Sequence, residues 1–154
     1  MLQVALYEPE IPPNTGNIMR LCANTGSPLH LIKPLGFSLD DKQLRRAGLD
    51  YREFVDVQVH DNLDALRAAL NKPQIWTLST RGARNYTEAN FNEGDVLLFG
   101  PETRGLPPAV LDELGVHRCL RIPMLPDSRS LNLSNAAALV LYEGLRQQGF
   151  PGLA

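Results

Sequence analysis

Apolar positions fall into short runs separated by longer polar stretches. LQVALYE (2–8) is rich in aliphatic residues and ends at Pro9, which predicts a first strand. Pro12-Pro13 leads to Asn14, a residue type suited to capping a helix, and Gly26 closes that helix. Within it Ile18, Leu21, Cys22 and Thr25 follow the i, i+3, i+4, i+7 spacing of one buried stripe. LHLI (29–32) predicts a second strand. Asp40 is placed to cap a short helix ended by Gly48, and EFVDVQV (53–59) reads as a third strand. Asp61 is placed to cap a helix through Leu63, Leu66 and Leu70. QIWTLST (74–80), DVLLFG (95–100) and CLRIP (119–123) are further strands. Pro107-Pro108 begins a short helix to Leu114, and Asn132 caps a last one reaching Gln148. Apolar strands alternating with helices, without hairpin signals, predict an α/β fold on a mainly parallel sheet.

The last helix departs from the amphipathic pattern. Ala136 to Leu141 are apolar without interruption and Tyr142 follows. A helix that is apolar all round is buried all round. Either it is central to its own chain, or its second face meets another subunit, with Ala137 and Val140 as interface positions. The second arrangement makes the protein a homodimer through its C-terminal helix.

Composition narrows the class. The chain has 154 residues, 44% of them hydrophobic, enough for one domain over 1–154 with a full core. No apolar run approaches the ~20 residues that cross a bilayer, so no membrane contact is expected. Met1 to Val4 run straight into a strand, leaving no room for a secretory leader. Cys22 and Cys119 are far apart and read as reduced, buried thiols of a cytoplasmic protein. His30, His60 and His117 lack ligand spacing, and no metal is expected. The net charge of −2 argues against nucleic acid, yet only three of the 15 basic residues are Lys. Arginine's planar fork suits bidentate phosphate contacts. Arg45-Arg46, Arg81 with Arg84, and Arg118 with Arg121 lie close in sequence. Scattered surface ion pairs and a phosphate-bearing partner both fit this composition.

Candidate chemistry lies in the loops. In a parallel sheet, ligands bind at the carboxyl ends of the strands. Three apolar strands end in distinctive segments: TLST into Arg81-Gly82, LLFG into PETRG, and RIP into MLPDSRSLN. Neither a G-x-G-x-x-G fingerprint nor a Walker-type Gly-Lys-Ser/Thr is present. On the first helix Asn14, Asn17, Arg20 and Asn24 share a face opposite the apolar stripe. That face is either solvated or built for a phosphate-bearing ligand.

NTGNIMR (14–20), LLFGPETRGL (97–106) and IPMLPDSRSLNLSNAAALVLYE (122–143) resemble the three motifs of the SPOUT superfamily in its SpoU class of ribose 2′-O-methyltransferases. LYEPEIPPNTGNIMRLCANTG, DDKQLRRAGLDY and RIPMLPDSRSLNLSNA are similar, more narrowly, to its tRNA methyltransferases of the wobble nucleotide, a cytidine or modified uridine at position 34. The resemblance covers essentially the whole chain. It implies an α/β domain with a C-terminal trefoil knot, a homodimer, S-adenosyl-L-methionine as cofactor with S-adenosyl-L-homocysteine as product, and tRNA as partner, with leucine isoacceptors expected. Carried over by motif, Arg20, Ser130, Asn132, Asn14, Glu102 and Tyr142 are the expected catalytic residues. Leu78, Gly100, Ile122, Met124, Ser130 and Glu102 are expected around the cofactor, with Gly100 allowing its close approach. Asn17, Arg45, Arg46 and Arg52 are expected to contact RNA. Arg20 is either the base for the ribose hydroxyl or an electrostatic support. Three alternatives stay open: methylation of another tRNA or ribosomal RNA site, a non-catalytic RNA-binding module, and a flavodoxin-like or nucleotide-sensing α/β domain.

Overall fold

The structure, a computed structural model, describes residues 1–47 and 56–154. Gly48, Arg52 and the first part of the predicted third strand (53–55) lie outside the described residues. Among the described residues, seven short strands are interleaved with helices: β1 (Gln3–Tyr7), α1 (Pro12–Thr25), β2 (Leu29–Ile32), α2 (Lys42–Arg46), β3 (Val57–His60), α3 (Leu63–Ala69), β4 (Ile75–Leu78), β5 (Arg84–Asn85), β6 (Val96–Phe99), α4 (Pro108–Leu114), β7 (Cys119–Arg121) and α5 (Leu133–Gln147). They form one sheet in the order β3-β2-β1-β6-β4-β7-β5, and the strand pairs described are all parallel.

Period-two alternation divides the core between the two faces. Val4, Leu6, Leu97 and Phe99 point to one side, where Ile18 and Cys22 of α1, Leu44 of α2 and Val140 and Leu141 of α5 cover them. Ala5, Val96 and Leu98 point to the other, under Leu66 of α3 and Val110 and Leu111 of α4. The apolar stripe of α1 is thus the face laid on the sheet. Burial pushes the Cys22 thiol up to about 12, which keeps it protonated and inert. Among the described residues no helix is long and apolar enough to cross a membrane.

Several boundaries differ from the sequence reading. Ile11, not Asn14, is the N-cap of α1, with Pro12 and Pro13 supplying its first turn. Proline needs no amide there and pre-sets the helical φ, so the helix starts earlier and Asn14 is buried inside it. Asp41 rather than Asp40 caps α2, and Asn62 rather than Asp61 caps α3. The two-residue β5 was not expected at all. In α5, Ala137 and Val140 are fully buried within the chain, so they are core positions and not interface positions. The exposed apolar side chains of this helix are Leu139 and Tyr142.

Candidate active site

The strands β1, β6, β4 and β7 are neighbours, so the loops that follow them lie side by side at one edge of the sheet. After β1 the chain goes to α1 on one face; after β6 it goes to α4 on the opposite face. Helices departing to opposite faces open a crevice between β1 and β6, the topological switch point of a parallel sheet. A cavity of about 640 Å³ lies beside it, lined by the loops after β4, β6 and β7. Its size suits a nucleoside-sized ligand. Leu78, Gly100, Glu102, Ile122, Met124 and Ser130 all line it, and so does Asn132.

The loop after β6 explains PETRG. The Gly105 amide donates to the Pro101 carbonyl at 2.8 Å, closing a tight turn with Gly105 at φ +71°. A Cβ on Gly100 would stand 2.7 Å from the Gly105 carbonyl carbon and also collide with the Leu106 amide. The close approach that demands glycine at 100 is therefore that of the chain's own backbone. Glu102 points out of this turn across the crevice. Its two oxygens accept the Glu10 amide at 2.8 Å, the Ile11 amide at 2.9 Å and the Asn14 Nδ2 at 3.3 Å. Thr103 donates its amide and hydroxyl to Glu10 Oε1, each at 2.8 Å. Those bonds, with Arg104 nearby, hold the Glu10 carboxyl below the usual carboxylate range. Arg104 pairs with Glu8 at 3.2 Å and Glu10 at 3.6 Å. Three successive residues of one motif thus fasten the loop after β6 to the loop after β1.

The fastening extends to the third motif. Asn132 Nδ2 donates to Asn14 Oδ1 at 3.0 Å, while Asn132 Oδ1 caps α5 by accepting the Ser134 and Asn135 amides. Glu102, Asn14 and Asn132 form one hydrogen-bonded chain through the three motifs. Both Glu102 oxygens and the Asn14 and Asn132 carbonyls are occupied in it, so this trio positions the loops.

The remaining expected residues are distributed as follows. Arg20 and Asn17 are exposed on the α1 face that begins with Asn14. Arg45 and Arg46 are exposed on α2, and Arg45 pairs with Asp40 at 3.4 Å. This helix abuts α1 at Gly16, where a Cβ would stand 2.5 Å from that of Ala47. Tyr142 lies outside the cavity, its ring 6.4 Å from that of Phe150. The sequence reading missed Glu8, Glu10, Thr103 and Arg104 as a clamp; the only available signal was their place inside the quoted motifs.

Comparison with known proteins agrees with this geometry. The profile of the SpoU rRNA Methylase family matches residues 1–142. The tRNA (cytidine(34)-2′-O)-methyltransferases of Methylovorus glucosotrophus and Escherichia coli K12 are each 57% identical to the chain over 152 residues. These matches cover 99% of this chain and 99% and 97% of those proteins. A structure solved for insight into the 2-OH methylation of C/U34 on tRNA superposes with a TM-score of 0.89 at 49% identity, covering 97% of each chain. The SpoU methyltransferase AviRb of Streptomyces viridochromogenes, in complex with AdoMet, superposes with a TM-score of 0.78 at 28% identity over 96% of this chain and 58% of its own.

Proposed function

The chain belongs to the SpoU methylase family, and on that premise we propose that it methylates the ribose 2′-oxygen of the wobble nucleotide, position 34, of tRNA in the cytoplasm. The observation that carries the reading is the full-length identity of 57% to two tRNA (cytidine(34)-2′-O)-methyltransferases, joined to a cavity where the three motifs converge. Residues 1–154 then form one methyltransferase domain, with leucine isoacceptors as its expected substrates.

The cavity fits S-adenosyl-L-methionine. Apolar Leu78, Ile122 and Met124 can take a purine face, and loop backbone around Gly100 and Ser130 offers the polar groups that specify it. When bound, that cofactor supplies a methyl group activated on a sulfonium and leaves as S-adenosyl-L-homocysteine. The protein's task is orientation and field. The ribose hydroxyl is a poor nucleophile until its proton departs. In this reading Arg20, presented by the polar face of α1, stabilises the developing negative oxygen and holds an RNA phosphate. A guanidinium keeps its proton in a protein, so it acts as an electrostatic group. The Glu102–Asn14–Asn132 chain fixes α1, and with it Arg20, relative to the cavity. Asn17, Arg45 and Arg46 form the outer RNA face, and Arg52, outside the described residues, is expected to contact RNA with them.

The same reading gives the C-terminal part a trefoil knot and the active unit a homodimer. In support, β6 lies between β1 and β4, and β7 between β4 and β5, so later strands are inserted among earlier ones. Exposed Leu139 and Tyr142 on α5 support the dimer and would bring Tyr142 to its interface.

The test is direct. Purified protein is incubated with S-adenosyl-L-methionine and tRNA from cells lacking the gene, and the digested RNA is mapped by mass spectrometry. A new 2′-O-methyl at position 34 is expected. A methyl at another position would discard the substrate, and none despite cofactor binding would discard the enzyme.

A further inference from the structure

Among the described residues, four charged side chains line the cavity: Arg81, Glu102, Arg104 and Arg121. Glu102 is taken up by the Glu10 and Ile11 amides and by Asn14, and Arg104 by Glu8 and Glu10. Arg81 and Arg121 are exposed and have no carboxylate within ion-pair distance among the described residues. Elsewhere Arg67 is paired with Glu113 and Arg146 with Glu143, whereas Arg46, Arg84, Arg118 and Arg129, none of them lining the cavity, have no carboxylate within ion-pair distance among the described residues either. The cavity therefore carries two positive charges that the fold leaves uncompensated.

Their placement is built, not incidental. The Ser79 amide donates to the Leu120 carbonyl at 2.9 Å, fixing the loop after β4 against the end of β7. A Cβ on Gly82 would stand 2.8 Å from the Arg121 amide nitrogen, so only glycine permits this crossing. Arg81 directly precedes Gly82, and Arg121 supplies the amide at that contact, so one backbone crossing sets both arginines at the cavity. Two cations lining one cavity oppose a sulfonium ligand there unless an anion accompanies it.

Resting on the function proposed above, we propose that Arg81 and Arg121 form a clamp for an RNA phosphodiester beside the ribose being methylated. Paired guanidinium forks suit phosphate oxygens, and neutralisation by RNA would remove their repulsion of the cofactor. The competing anion is the cofactor's own carboxylate.

The test compares wild type with Arg81→Ala, Arg121→Ala and the two Arg→Lys variants. Both sites are exposed, and retained binding of S-adenosyl-L-homocysteine reports that each variant folds. Each alanine variant should weaken tRNA binding about tenfold at low salt. It should also lower the slope of log K against log salt by about 1. The lysine variants should keep most of the slope. Without RNA, removing a positive charge should improve affinity for the sulfonium cofactor relative to its uncharged thioether product. Loss of affinity for both cofactor forms in parallel, with tRNA binding unchanged, would assign the arginines to the carboxylate and overturn the clamp. No change in either ligand would overturn it as well. Failure of the wild type to bind or methylate tRNA would instead bring down the function on which the clamp rests.

Discussion

Glu102 shows how one side chain carries a consequence beyond its own loop. Its partners Glu10, Ile11 and Asn14 lie 88 to 92 positions away in sequence. It holds the entry to α1, and through Asn14 it reaches the α5 cap. Replacing it with Gln keeps the size but turns one acceptor into a donor facing N–H groups. Two of these bonds are part-buried and the third is exposed, so leaving a donor unmatched costs about 1 kcal/mol, and Glu102→Gln should unfold at lower urea by that margin. It should also bind S-adenosyl-L-homocysteine more weakly, because the cavity loop is released; unfolding and calorimetry measure the two effects. Equal stability and affinity to wild type would remove the clamp from the account. The residue type was legible in PETRG. Its partners were not, because hydrogen bonds between loops depend on strand order and leave no local periodicity.

At the scale of elements, the sheet contains a polar connection that its apolar pattern hides. His30 on β2 is fully buried and its Nδ1 lies 2.9 Å from His60 Nε2 on β3, while its Nε2 lies 2.8 Å from Gln3 Oε1 on β1. The Gln3 oxygen can only accept, so His30 carries its proton on Nε2 and accepts from His60 Nε2–H through Nδ1. Three adjacent strands are joined by neutral imidazoles. Burial first, and His60 second, press His30 down to about 4; burial also lowers His60. An unfolded imidazole titrates near 6.5. Above that pH both states are neutral and this contribution to stability is fully present. As pH falls from about 6.5 to about 4 the unfolded chain takes up protons that the folded chain refuses, and stability declines by roughly 2–3 kcal/mol. Urea unfolding from pH 8 to 4.5 should show that decline, and His30→Gln should flatten it. Parallel profiles would exclude the pair as its source. The strands themselves were legible as aliphatic runs, because burial on both faces requires them. The caps of α2 and α3 were displaced by one residue. Asp40-Asp41 and Asp61-Asn62 each offer two capping side chains in succession, and tertiary packing decides which one reaches the amides.

For the whole molecule, the decisive element is α5. Its apolar run serves two directions at once: Ala137, Val140 and Leu141 are fully buried under the sheet, while Leu139 and Tyr142 are 44% and 43% exposed. Ile11 and Leu131, from the loops that bracket the candidate site, are exposed apolar residues as well, at 40% and 39%. Sequence could reveal that the helix was apolar all round, but not which residues face which way, since uninterrupted hydrophobicity has no phase. The structure supplies the phase, and the proposed homodimer then yields a test with separable outcomes. Leu139→Glu or Tyr142→Glu places a charge on the outer face, where the single chain tolerates it. These variants should keep the unfolding midpoint of an isolated subunit yet sediment as monomers. Ala137→Glu or Val140→Glu buries a carboxylate without a partner, a cost of several kcal/mol set against a folding margin of about 5–15 kcal/mol. Those should fail to fold and can say nothing about assembly. Sedimentation equilibrium of the two outer-face variants beside the wild type makes the measurement. A wild type that is monomeric at micromolar concentration, or a Leu139→Glu variant that stays dimeric, would leave the outer face of α5 without its proposed partner. A monomeric variant that still binds S-adenosyl-L-homocysteine but has lost methyl transfer would show that the cavity belongs to one chain and the reaction to two.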